Sequence, residues 1–348
     1  MKSAKFPAVA PAFPAFAGAH RRIREAVGGA AMLLLAFTLG TAHADTFGAE
    51  SLQQGWFAPR AAEFARVSGG LAPAIQALCD AKPEASAAAL DQARGQWRAS
   101  LAAWERLSGV AVGPVLERRT QRQIDFTPTR PRMIEKAVKA APADAKDMEL
   151  IGTPAKGFPA LEWLLWNKPV APASAECRYA VQVAAEIART AGELAQAAPP
   201  AHDDRTALSE LVNQWIGGLE RLRWANLEMP QRVALTAGPP GTVAPDFPRK
   251  ASGNAAASWA AQWDALKSLA LGPVSIAAAL QAQGKAPVAE HFARAVAEAD
   301  AALQGLGTDD SVRILAAGKA LADLKRLTEG DVASALGVNV GFSDADGD

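Results

Sequence analysis

Histidine and cysteine are scarce in this 348-residue chain, which has four and two of them, with a single tyrosine. Two of the histidines, His20 and His43, fall in an N-terminal leader, so only His202 and His291 remain for the body of the protein. No His-x-x-Glu or His-Glu-x-x-His pattern occurs, and the paired ligands of a zinc hydrolase are therefore missing. There is no Gly-x-Ser-x-Gly elbow and no nucleotide-binding glycine fingerprint. A haem ligand has to come from the two histidines, Tyr179, Met133, Met148 or Met229. Asp344-Ala345-Asp346-Gly347-Asp348 has the opening of a calcium loop without the later ligands such a loop needs. Charge of one sign is also lacking: Lys+Arg and Asp+Glu are 36 each. That balance gives no global attraction to nucleic acid or anionic lipid.

Arg21, Arg22 and Arg24 precede the apolar run Ala26–Gly40, and Ala42-His43-Ala44 then places small residues where a signal peptidase reads them. Residues 1–44 are thus expected to be a signal peptide cut after Ala44, giving a periplasmic product. The apolar run is short for a transmembrane helix, and no later stretch is expected to span a membrane. Removal of the leader takes away five basic residues and one acidic one, leaving a net charge of −4. Both cysteines, Cys79 and Cys177, stay in the exported part. Export favours a Cys79–Cys177 disulfide over two buried thiols.

What is abundant is alanine and apolar residues at helical spacing, with almost no strand-like alternation. The pattern predicts an all-α protein with helices over 59–80, 84–107, 130–140, 159–166, 173–197, 203–226, 254–270, 273–283, 289–304 and 310–328. An internal repeat aligns Trp104–Val115 with Trp263–Val274 at an offset of 159 residues, each copy closing a helix on Gly-Pro. It suggests a duplicated chain, with helical bundles over 45–200 and 201–348 meeting at the Pro-rich stretch Ala197–Asp203.

Gly152-Thr153-Pro154-Ala155-Lys156-Gly157-Phe158-Pro159-Ala160-Leu161-Glu162 reads as a Gly/Pro-rich loop entering a helix. Pro159 suits a first helical turn, and Glu162 gains from the positive helix end. The bland reading of Glu162 is a solvent-facing helix-start carboxylate.

Gly157-x-Pro159-x-x-Glu162 resembles the Gly-x-His-x-x-Glu motif of the imelysin-like family, exported bacterial helical proteins linked to iron acquisition, whose founding member was described as a peptidase. The run Gly152–Leu165 resembles the branch in which that histidine is replaced. Trp97-Arg98 through Trp104 to Gly113-Pro114 is similar to the family's second-helix signature, and Arg122-Gln123-Ile124-Asp125-Phe126-Thr127-Pro128 to the segment after it. Glu176–Ala180 and Leu336–Asp348 resemble later family segments. The resemblance implies two helical bundles related by a pseudo-twofold, with Glu162 in the cleft between them. Proline has no donor atom, so Glu162 is at most a lone metal ligand there.

Around that cleft the expected ligand-binding set is Gly157, Pro159, Glu162, Arg122, Trp104, Arg249, Ser252 and Asn254. Arg118, Arg119, Arg122, Arg130 and Arg132 crowd one segment, which suits an anion site as well as a solvated basic face. Ser252 or Asn254 also suits a helix cap. Glu162 is expected near the cleft mouth, where its removal costs binding rather than stability. The functional expectation is a non-catalytic binding component for a small ligand, anionic or an iron chelate, with envelope iron-uptake proteins as partners. The alternatives are a metallopeptidase and a structural or adaptor protein of the envelope.

Overall fold

The computed structural model describes residues 47–239 and 242–341. The leader with its cut after Ala44, and the Asp344–Asp348 run, lie outside the described residues. Among the described residues every regular element is a helix, so the protein is all-α.

Ala58–Ser68 and Leu71–Cys79 make a helical pair broken at Gly69-Gly70. Ser86–Ser108 follows, and Ala175–Ala195 lies further along the chain. These elements pack on one another through Phe64, Leu71, Ile75, Leu78, Trp97, Leu101 and Ile187, all fully buried. The expected single helix over 59–80 is therefore two, because paired glycines supply no side chain to hold a continuous rod in place. Ser174 starts Ala175–Ala195 by accepting from the Cys177 amide at 3.0 Å. The Cys79–Cys177 disulfide joins this helix to the end of Leu71–Cys79.

The later helices are Asp204–Glu220, Ala255–Leu271, Ile276–Ala282, Ala286–Leu303 and Ser311–Leu327. Asp203 and Asp310 cap two of them by accepting from the Thr206 and Arg313 amides. Asp204–Glu220 runs on through wide π-helical turns at Arg221–Glu228 into Met229–Thr236. Ala255–Ala282 is apolar and long enough to cross a membrane by composition. It consists of two helices either side of Gly272–Ser275, with Trp259, Leu266, Leu269, Ile276 and Leu280 in the core.

The two helices that carry the sequence repeat, Ser86–Ser108 and Ala255–Leu271, pack directly on each other. Trp104 donates to Asp125 at 3.0 Å and Trp263 to Asp300 at 2.8 Å. Glycine makes this approach possible where Asp204–Glu220 joins it. A Cβ on Gly218 would sit 2.1 Å from the Gly109 carbonyl oxygen, and one on Gly109 would sit 2.6 Å from Ala265 Cβ. No side chain fits at that junction. It brings the C-terminal turn of Ser86–Ser108 against the turns that begin at Arg221, and the candidate site lies beside it.

Candidate ligand-binding site

Gly157 positions the first element of the site. Its φ is +76°, and a Cβ would lie 2.1 Å from the Ile124 carbonyl oxygen, so only glycine lets Gly157–Glu162 press against the Ile124-Asp125 backbone. Pro159 and Phe158 follow into the core, and the helix continues through a π-helical turn, Trp163–Asn167. Glu162 is only 5% exposed. Its Oε1 accepts from the Ser252 amide at 3.0 Å and from the Ser252 hydroxyl at 2.7 Å. It is therefore a buried tie to a segment 90 residues away, not a solvent-facing charge. Arg98 holds the other side of that segment, stacking 5.0 Å above the Trp166 ring while donating to the Ser252 carbonyl at 3.0 Å.

Arg249 adopts a left-handed backbone, φ +65°, and its guanidinium is buried. A non-glycine residue held there costs of order 1–3 kcal/mol unless its surroundings fix it. Here the surroundings are carboxylates. Arg249 donates to Asp125 through Nη2, and its Nε lies 3.8 Å from Glu105. Asp125 takes its second bond from Trp104. Glu105 Oε1 accepts from the Ser258 hydroxyl, and Gln262 links Ser258 to Asn226, whose amide donates to Gln262 Oε1 at 2.7 Å.

This network opens on a cavity of about 510 Å³. Its walls include Glu105, Arg122, Asp125, Arg221, Asn226, Arg249 and Gln262, so they come from chain segments on both sides of residue 200. A second, more apolar cavity of about 680 Å³ shares Thr127, Ala225, Asn226, Pro248 and Arg249 with the first. Trp163, Met229, Val233 and Phe247 line its far side. Thr127-Pro128, between the two, is a cis peptide.

Charge in the polar cavity is set by burial and partners together. Burial pushes the Glu105 carboxyl up to about 7, against the pull of Arg249 and Ser258. Burial also works against the Arg249 charge, but Asp125, Glu105 and Glu162 overcome it and hold its pKa above the ordinary arginine value. Burial lowers Arg221, with Asp125 and Glu105 partly offsetting it. Glu105 Oε2 is buried with no protein partner among the described residues.

Of the residues expected from sequence, Arg122 lines the polar cavity, Glu162 the more apolar one, and Arg249 both. Trp104 does not: it is wholly buried and acts on the site through Asp125. Gly157 and Pro159 shape the backbone beneath it. Ser252 binds Glu162 instead of capping a helix, and the Asn254 side chain makes no cap bond to Ala255–Leu271. Of the other arginines in the crowded segment, Arg118 pairs with Glu193 at 3.3 Å, and Arg119, Arg130 and Arg132 line neither cavity. Tyr179 is buried, its hydroxyl donating to the Ala155 carbonyl at 2.7 Å. Among the described residues no three His, Cys, Asp or Glu side chains are grouped to share a metal ion.

Sequence reading missed Glu105, Arg221, Ser258 and Gln262 as site residues. For Glu105 the signal was available: it falls on the stripe Trp97, Leu101, Trp104, Ser108, where every other member is buried. An acidic residue on such a stripe needs a partner or a purpose.

These features define an all-helical protein with a charged cavity, and the comparisons agree on its class. The family model described as Imelysin, peptidase M75, matches residues 58–333, and the chain belongs to that family. The fold is similar to the crystal structure of an imelysin-like protein from Psychrobacter arcticum 273-4, with a TM-score of 0.67 and 20% identity over 84% of this chain and 96% of that one. It is also similar to a protein named as an iron-regulated protein A precursor from Parabacteroides distasonis ATCC 8503, with a TM-score of 0.68 and 15% identity over 83% of this chain and 94% of that one. Among curated proteins none matches the chain.

Proposed function

We propose that this imelysin-family protein is an exported, periplasmic binding component associated with iron acquisition, holding a small anionic ligand or iron chelate in the cavity between an N-terminal and a C-terminal bundle. The observation that carries the reading is the set Glu105, Asp125, Arg221 and Arg249, four charged groups around one cavity of about 510 Å³, with Glu105 and Arg249 buried and the other two partly buried. Burying that much charge is costly in folding terms and needs a return in function. The name of the Parabacteroides relative supports the link to iron. The leader residues Arg21–Ala44 support export. The alternative of a metallopeptidase is weaker on chemistry. Pro159 offers no donor atom, and Glu162 Oε1 is already bonded twice to Ser252. Among the described residues no three His, Cys, Asp or Glu side chains are grouped to hold the metal that would activate the water.

The test is a melting-temperature screen of the mature protein against ferric chelates, haem and small organic anions, with a peptide-cleavage assay in parallel. A ligand that binds the folded state raises the midpoint as its concentration exceeds Kd. At least one ferric chelate or organic anion should do so, with no cleavage. Cleavage without any ligand shift would favour the peptidase, and neither would favour an envelope adaptor.

A further inference from the structure

Arg221 is the least explained charge in the molecule. Its Nη2 donates to the Ser108 and Gly109 carbonyls at 2.7 and 3.2 Å. Among the described residues no carboxylate lies within ion-pair distance, and its Nε and Nη1 have no protein acceptor, although the group lines the polar cavity. Arg122, exposed at the rim of the same cavity, also has no ion-pair partner among the described residues. Glu105, which lines the same cavity, is 3% exposed and its Oε2 has no partner. A bare carboxylate oxygen in that position is unfavourable, and a protonated one is a donor without an acceptor.

We propose that the polar cavity binds a small organic carboxylate, its acid group held between Arg221 and Arg122 and accepting a hydrogen bond from protonated Glu105. The proposal rests on the binding reading above and names its ligand class. It satisfies three unfilled positions with one group: the Arg221 fork, the Arg122 charge and Glu105 Oε2. A cation would also satisfy an ionised Glu105, but the lining decides against it. Three arginines face two acids, and Arg249 alone serves both acids. The groups that face Glu105 are Arg249, Ser258 and Gln262 from the later chain, Asp125 from the loop before the cis peptide, and Arg221. None but Arg249 has a cationic charge within 4 Å of it. A hydroxycarboxylate fits this chemistry either free or as its ferric complex.

The experiment is calorimetric titration of the mature protein with tartrate, and separately with ferric tartrate, at about pH 6 and about pH 8. Because free Glu105 holds its proton up to about pH 7, affinity should fall about tenfold across that interval, and changing the buffer should reveal proton uptake at about pH 8 and almost none at about pH 6. Glu105→Gln should bind with no such pH dependence. Arg122→Gln, at an exposed position that the fold does not need, should bind about tenfold more weakly at both values. The two arms separate the free acid from its iron complex. The proposal is overturned if neither form binds, if Glu105→Gln keeps the pH slope, or if Arg122→Gln binds as the wild type does. If haem or another chelate raises the melting temperature while both tartrate forms fail, the binding reading stands and this one falls. If nothing binds, both fall.

Discussion

Glu105 gives the site its sharpest residue-level consequence. Its folded pKa of about 7 lies above the ordinary carboxyl value of 4.5, so the folded state binds more protons than the unfolded state between these limits. Stability from this group is therefore full below about pH 4.5 and is lost as pH rises through about 7. The loss is about 3 kcal/mol. Urea unfolding of wild type and Glu105→Gln across this range should show the difference curve falling with pH, and a flat difference would contradict it. The buried position of Glu162 changes what its removal is expected to do, from a loss of binding alone to a loss of stability. Its carboxylate holds the Ser252 amide and hydroxyl in the interior, so Glu162→Ala should destabilise the protein by about 1–3 kcal/mol, measurable in the same urea series. The family resemblance made Glu162, Ser252 and Arg249 legible from sequence as members of one site. It did not show that Glu162 is buried, because the Gly/Pro-rich loop before it reads as surface material. The loop goes inside because Tyr179 and the Ile124 backbone receive it. Arg221 was illegible: it shares no motif with the site, and the glycine contact of Gly218 that delivers it joins helices far apart in sequence.

At the scale of the element, the helix Gly157–Glu162 depends on one atom's absence. Gly157→Ala must relieve both a positive φ and a 2.1 Å contact with backbone, which no rotamer change can do. It should destabilise by about 3 kcal/mol or more and loosen Glu162 from Ser252, seen as a lower melting temperature together with faster amide exchange at Ser252. Helix existence was legible wherever the apolar stripe was long, as in Ser86–Ser108 and Ala175–Ala195. The short helices Pro114–Glu117, Thr120–Ile124 and Ala145–Glu149 were missed, since four or five residues cannot establish a 3.6-residue period. The wide turns at Arg221–Glu228 were also invisible. A π-helical turn changes the face a side chain presents without changing composition, and such turns occur often at functional positions.

For the whole molecule, the Cys79–Cys177 bridge closes 98 residues that contain the Gly157–Glu162 helix, Glu105 and Asp125. In the chain-entropy account such a loop contributes roughly 4–5 kcal/mol. Cys79→Ala/Cys177→Ala should unfold at correspondingly lower denaturant, and unchanged stability would mean the earlier helices do not need the link. The all-α class and the family were legible because helical periodicity and short motifs survive in sequence. The cavity was legible only in part, because its walls are drawn from five separated segments. The central claim, that this cavity is where the protein binds its ligand, is tested most directly by a crystal structure of the mature protein grown with tartrate or ferric tartrate near pH 6. Ligand density against Arg221, Arg122 and Glu105 is the predicted result. Ligand bound elsewhere, with only solvent between those three side chains, would contradict it.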